Sequence, residues 1–196
     1  MARPSPLKTL TWCLAVAPAA WAVFCGFTHA LGANPIESLI NRAGFWTLTF
    51  LVASLVPTAL KVVTGRKELL KVRRLLGLTA FAYACAHLVL YAVVDQALDL
   101  HDIWMDLQKR NFITVGMAAF LLLVPLAVTS TNGWVKRLGG VGWQRLHRLV
   151  YVAAVLGVLH FVGRVKADVT EPALLGAAVA VLLLIRVWGA VKRREA

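Results

Sequence analysis

The chain of 196 residues is 60% hydrophobic and 15% charged, with a formal net charge of +12. Soluble domains average ~45–50% apolar and ~25% charged residues. The surplus here gathers in blocks of about 16 to 22 residues, each able to cross a ~30 Å hydrocarbon core as helix. This excludes a soluble globular enzyme, a disordered tail and a secreted disulfide scaffold. A β-barrel is excluded as well, because the blocks lack alternation of period two.

Six spans are expected in chain order. The first, Leu10–Leu31, follows Arg3 and Lys8. Its apolar run exceeds the ~7–15 residues of a signal-peptide core, so it reads as a retained span. The second, Phe45–Val63, carries Pro57 late and leads into a basic loop from Arg66 to Arg74. The third, Leu75–Val94, contains Cys85 and His87 and leads into the acidic stretch Asp95–Asp106, which reads as a solvated outer loop with His101 and Trp104. The fourth, Ile113–Val128, carries Pro125 and precedes Lys136 and Arg137. The fifth, Leu146–Val162, contains His147 and His160. The sixth, Pro172–Val191, ends in Lys192, Arg193 and Arg194. Pro57 and Pro125 are expected to kink their spans.

Charge alternates between connections. One set, counting both chain ends, holds 16 basic and 2 acidic residues, and the other holds 5 basic and 7 acidic. The +12 is therefore +14 on one side and −2 on the other. That sorting fits six spans with both termini cytoplasmic, so the charge encodes topology and does not mark a nucleic-acid surface. The expected fold is an all-α integral membrane bundle forming a single transmembrane domain, 1–196. Cys13, Cys25 and Cys85 all lie in apolar blocks, and no CxxC, CxxCH, GxGxxG or P-loop occurs. Neither disulfides nor covalent c-type haem is indicated, and any soluble electron donor must be another molecule.

Ionisable residues inside spans are costly and are functional candidates. His87 lies 13 residues beyond Arg74, and His160 lies 12 beyond Arg148. Both spans run in the same direction, so both imidazoles sit about 18–20 Å from the cytoplasmic basic edge at 1.5 Å per residue. Two histidines at one depth on parallel helices can hold a haem iron between them. Tyr83, Tyr91, Gly157 and Gly163 stand three or four residues from these histidines, where small or aromatic residues would line a porphyrin pocket. A lone intramembrane histidine more often hydrogen-bonds across a helix interface, and it is the matched depth of the pair that argues for ligation. Zinc wants three or four ligands, and no Cys or carboxylate lies at that level. His147 sits 13 residues before His160 and is rotated away from it by about 140°. It is a weaker ligand candidate, because Arg73 and Arg74 stand opposite it where a histidine would be needed. Those arginines suit haem propionates or a flavin phosphate, or simply anchor the inner interface. His29 and His101 read as solvated.

Several runs in order resemble the MsrQ (YedZ) family. They are Arg73-Arg74-Leu75-Leu76-Gly77-Leu78-Thr79-Ala80-Phe81-Ala82-Tyr83 with His87, Tyr91 and Asp95; Lys109-Arg110 leading to Ile113-Thr114-Val115-Gly116-Met117; Pro125-Leu126-Ala127-Val128-Thr129-Ser130; and Leu138-Gly139 with Trp143, Leu146-His147-Arg148-Leu149 and Tyr151. The resemblance covers roughly residues 40–166. Two departures, Asn111-Phe112 after Lys109-Arg110 and Val56-Pro57-Thr58-Ala59-Leu60 at the end of span two, touch no expected ligand. The resemblance implies a ferric-reductase-like transmembrane domain in a bacterial inner membrane, with b-type haem (one or two) and FMN. It implies an electron-transfer subunit rather than a self-sufficient enzyme. The expected partner is a periplasmic molybdopterin methionine sulfoxide reductase that repairs oxidised proteins, and the expected donor is quinol or a cytoplasmic flavin reductase. It makes His87, His147 and His160 the haem histidines. Membrane lipids are the remaining partners, with no nucleic acid. The alternative is a stand-alone ferric or oxygen reductase of the same fold; a transporter or scaffold is disfavoured, since no discontinuous repeat pair occurs.

Overall fold

The computed structural model describes the backbone of residues 6–195 and side chains as far as residue 192. Arg3 and the side chains of Arg193, Arg194 and Glu195 lie outside the described residues. The described residues form α1 (Pro6–Phe27), α2 (Pro35–Thr64), α3 (Leu70–Val89), α4 (Leu100–Lys109), α5 (Asn111–Val128), α6 (Asn132–Leu146), α7 (Leu149–Arg164) and α8 (Thr170–Glu195), with no strand among them. Five segments are long and apolar enough to cross a membrane: α1, α2, α3 with the turn that follows it, α5 and α8. A sixth candidate is the pair α6 and α7, which meet at a 42° bend, with α7 carrying the fifth apolar block. The chain is a multi-pass, all-helical membrane protein.

Helix ends follow capping chemistry rather than the edges of the apolar blocks. α2 begins at Pro35, well before Phe45, because the Asn34 side chain accepts from Glu37 N at 3.2 Å and Pro35 stands in the first turn. It ends where Gly65 takes φ 73° and its N–H returns to Lys61 O. Pro57 and Pro125 lie inside α2 and α5, each of which runs on as one element. α3 leaves α-geometry just beyond His87, where Leu90–Asp95 forms a π turn.

Two connections read as loops are helices. The acidic stretch folds from Leu100 because Asp99 caps it, accepting from His101 N and Asp102 N. Tyr91 donates to Asp106 Oδ2 at 3.0 Å and Arg110 pairs with Asp106 Oδ1 at 3.1 Å, which ties α4 to the end of α3. The basic stretch forms α6, started by Thr131 and broken internally at Gly139, whose φ of 67° only glycine adopts without strain. Both are short and polar on average, so neither registers as a span by itself.

In the bundle, α2 packs closely on α3 and α5 closely on α7, whereas the two pairs meet each other sparsely. α8 lies across α2 and α7, and α1 rests on α3. Fully buried Ala80, Ala153 and Ala154 sit in the core with Leu48, Leu51, Leu55, Leu123 and Leu126. Lipid tails are as apolar as leucine, so close approach through small residues, rather than burial of oil, holds such helices together. Large apolar side chains such as Leu14, Phe27, Leu121, Leu159 and Leu184 point outward, as a lipid-facing surface requires.

Candidate functional site

His87 on α3 and His160 on α7 face one another across the sparse seam between the helix pairs. Their ring centroids are 6.0 Å apart and their planes are 81° from parallel. Matched depth on co-directional helices therefore translates into proximity. Each ring is anchored from the rear. His87 Nδ1 is 2.9 Å from Ile40 O on α2, and His160 Nδ1 is 2.6 Å from Phe112 O on α5. A carbonyl only accepts, so both Nδ1 atoms carry the proton and both Nε2 atoms keep a free lone pair. Neither Nε2 has a protein partner among the described residues.

This donor set fits a haem iron. Metal–imidazole bonds of about 2.0 Å on both sides of one ion put the ring centroids roughly 6 Å apart. Metal-bound histidines characteristically donate the other ring N–H to a backbone carbonyl. The sparse contact between the helix pairs is where a flat macrocycle would lie. No cluster of three or more His, Cys, Asp or Glu occurs among the described residues, so the pair suits an ion whose remaining ligands come from a ring.

Both imidazoles lie against glycine. A Cβ on Gly44 of α2 would be 3.1 Å from His87 Cε1 and 3.2 Å from Nδ1, and one on Gly116 of α5 would be 2.5 Å from His160 Nδ1. Phe112, at one of the departures from the family pattern, therefore does touch a candidate ligand. It does so through its backbone, which any residue supplies.

Arg164, one turn beyond His160, donates to Asn41 Oδ1 at 2.6 Å. It borders a cavity of about 570 Å³ lined also by Arg42, Phe45, Trp46, Phe161 and Glu37. Its guanidinium lies 5.8 Å over the Phe161 ring, one turn along α7 from His160.

His147 stands apart. It sits at the junction of α6 and α7, with Trp143 stacked on it at 3.8 Å between centroids. Thr129 Oγ1 donates to Pro125 O at 2.6 Å and so receives its other bond from His147 Nε2, 3.0 Å away. The nitrogen left with a lone pair is Nδ1. His147, Arg73, Arg74, Phe81, Trp143 and Ser130 line an inner cavity of about 320 Å³ that no other histidine lines. Arg74 bonds Asn132 Oδ1 at 2.8 Å, and Arg73 has no hydrogen-bond or ion-pair partner among the described residues.

The other expected pocket residues have different work. The Tyr83 hydroxyl donates to Ala15 O at 2.9 Å and accepts from Ala19 N at 3.0 Å, so it inserts into one ladder step of α1. Tyr91 turns to α4 (above). Gly157 lies against Leu48 of α2, and Gly163 lies against Phe112 of α5.

Arg186 was counted with the basic cytoplasmic end. It turns instead into the bundle, donating to Tyr151 OH and, at 3.1 Å, to Leu55 O, while its Nε finds no partner. Its place inside the apolar run Leu182–Val187 is the sequence signal that marks it. Gly44, Gly116 and Asn41 carry no such signal, since their roles depend on a neighbouring helix. His29 and His101 are exposed, as expected.

Residues 42–158 match the family described as ferric reductase like transmembrane component. The chain is 46% identical over 191 residues to a protein of Caulobacter vibrioides, covering 95% of this chain and 91% of that one. It is 54% identical over 165 residues to one of Rhodospirillum rubrum, covering 84% and 79%. It is 46% identical over 200 residues to one of Herminiimonas arsenicoxydans, covering 98% and 92%. All three relatives are named protein-methionine-sulfoxide reductase heme-binding subunit MsrQ.

Proposed function

The chain belongs to the MsrQ family of ferric-reductase-like transmembrane proteins, and from that premise we propose that it is the haem-binding electron-transfer subunit of a methionine sulfoxide reductase system in a bacterial inner membrane. The observation that carries this reading is the facing pair His87 and His160, each with Nδ1 bound to a carbonyl and Nε2 free. When bound, b-type haem supplies one-electron transfer through the bundle. The chain's own residues do the rest. His87 and His160 would hold the group through their free Nε2 atoms. Arg164, kept in place by Asn41, is available to a propionate at the outer end of the seam. The packed helices exclude water.

The sorted charges support a periplasmic side for α4 and the cavity beside Arg164, and a cytoplasmic side for α6, Arg73 and Arg74. A haem held by the pair would then be nearer the outer face, where a periplasmic molybdopterin catalytic subunit would collect electrons. The inner cavity combines aromatic walls with Arg73 and Arg74. It suits a flat donor with an acidic tail, such as FMN, with quinol or a cytoplasmic flavin reductase supplying the electrons.

The test is a pyridine-haemochrome and flavin stoichiometry on purified wild type, His87→Ala and His160→Ala, with reoxidation by the catalytic subunit. We expect a b-type spectrum that both substitutions abolish. Full haem retention in both would overturn the assignment. Fast reoxidation by ferric chelates with no response to the catalytic subunit would favour the stand-alone reductase.

A further inference from the structure

We infer that Gly44 and Gly116 are positioning residues that set the tautomer, orientation and electron donation of the two haem-ligating histidines. This rests on the axial role proposed for His87 and His160. One local device is used twice, on different helices. Gly44 follows Ile40 by four residues on α2, and Gly116 follows Phe112 by four on α5. In each case the carbonyl four residues before the glycine receives the imidazole Nδ1–H.

The spacing has a physical reason. In an α-helix the carbonyl of residue i bonds the N–H of residue i+4 and keeps one lone pair free. The Cα–Cβ bond at i+4 tilts toward the helix N-terminus, so its side chain covers that carbonyl. A small residue at i+4 is enough for a reaching hydroxyl, as where Tyr83 bonds Ala15 O beside Ala19, but these two imidazoles sit so close that a Cβ at i+4 would crowd the ring itself. Among the described glycines, Gly157, Gly163, Gly176 and Gly189 admit apolar side chains, whereas only Gly44 and Gly116 admit an imidazole.

The two positions differ in tightness. A Cβ at 116 would stand 2.5 Å, 2.8 Å and 3.0 Å from three His160 ring atoms, closer than real contacts allow. At 44 the nearest approach is 3.1 Å, which the ring can accommodate by a small displacement. Displacing a ring from its carbonyl weakens the Nδ1–H···O bond, makes Nε2 a poorer electron donor and favours the reduced iron.

The experiment compares Gly44→Ala, Gly116→Ala and Gly140→Ala in the full chain, purified with haem. The Gly140 change is the control, because nothing lies within 4 Å of its Cβ. The readouts are haem content, low-spin EPR signature and midpoint potential. We expect Gly140→Ala to match wild type. Gly44→Ala should keep its haem with an upward-shifted potential and a moved low-field EPR feature. Gly116→Ala should lose haem at least tenfold or leave only a high-spin remnant. A Gly44→Ala protein with wild-type potential and EPR signature overturns the inference, whatever Gly116→Ala does. Loss of haem in both His→Ala variants beside an unshifted Gly44→Ala refutes the glycine role alone. Intact haem in both His→Ala variants refutes the axial reading beneath it.

Discussion

His147 and His160 lie on one stretch of chain yet commit opposite ring nitrogens. Nε2 of His147 is spent on Thr129 Oγ1, and Nδ1 of His160 is spent on Phe112 O. His87 follows His160 in this choice. The three histidines therefore divide into a facing pair with Nε2 available and a single interfacial residue whose Nε2 is already used. Replacing His147 by Ala should preserve the low-spin spectrum of the pair, while replacing either member of the pair removes it. Optical spectra of the three variants at equal protein concentration check this. Loss of the pair's signal in His147→Ala would contradict the division.

The near-perpendicular ring planes make a second, spectroscopic expectation. Axial imidazoles at right angles leave two iron d-orbitals almost degenerate, which gives low-spin ferric haem a single EPR feature at very low field. At the observed 81°, frozen-solution EPR of oxidised protein should show that feature rather than the three-line spectrum of parallel rings.

Arg164 places a positive charge one turn along α7 from His160, held by Asn41. A nearby cation favours the reduced haem, so Arg164→Gln should lower the midpoint potential. One charge at such range in a protein environment is worth on the order of 1–2 kcal/mol, which for one electron is tens of millivolts. Asn41→Ala, which frees the arginine without removing it, should move the potential less. Redox titration of both variants distinguishes the charge from its placement.

Arg186 depends on Tyr151 and Leu55 O for its partners. Tyr151→Phe removes one of them from a buried guanidinium that already has an orphaned Nε. The expected loss is about 1–3 kcal/mol of stability, read as a lower unfolding midpoint in detergent. Arg186→Met removes the charge together with its demand for partners, and it should cost less than Tyr151→Phe.

Sidedness is open to direct labelling. A cysteine at Asp102 on α4 should react with an impermeant maleimide in intact spheroplasts. One at Lys136 on α6 should react only after the membrane is permeabilised. The reverse pattern would invert the charge-based topology.

The membrane-spanning character, the apolar blocks and the closeness of His87 to His160 are all legible along the chain. Each depends on a one-dimensional quantity: the length of an apolar run, the sign of the charges between runs, or the residue distance from a basic edge. Helical rise converts the last directly into depth, which is why His87 and His160 could be paired before any helix was placed. α4 and α6 do not read as spans because both are short and polar on average, and their ends depend on caps and on the kink at Gly139. Spacing places Tyr83, Tyr91, Gly157 and Gly163 near a histidine but does not say which neighbouring helix they meet. That is decided by packing between α2 and α3, between α5 and α7, and of α1 and α8 around them. The same packing brings Ile40 O to His87 and Phe112 O to His160, turns Arg186 inward, and leaves the seam between pairs loose. Depth follows from local geometry that every helix shares, whereas rotational setting and partner choice arise only when side chains of several helices compete for the same space.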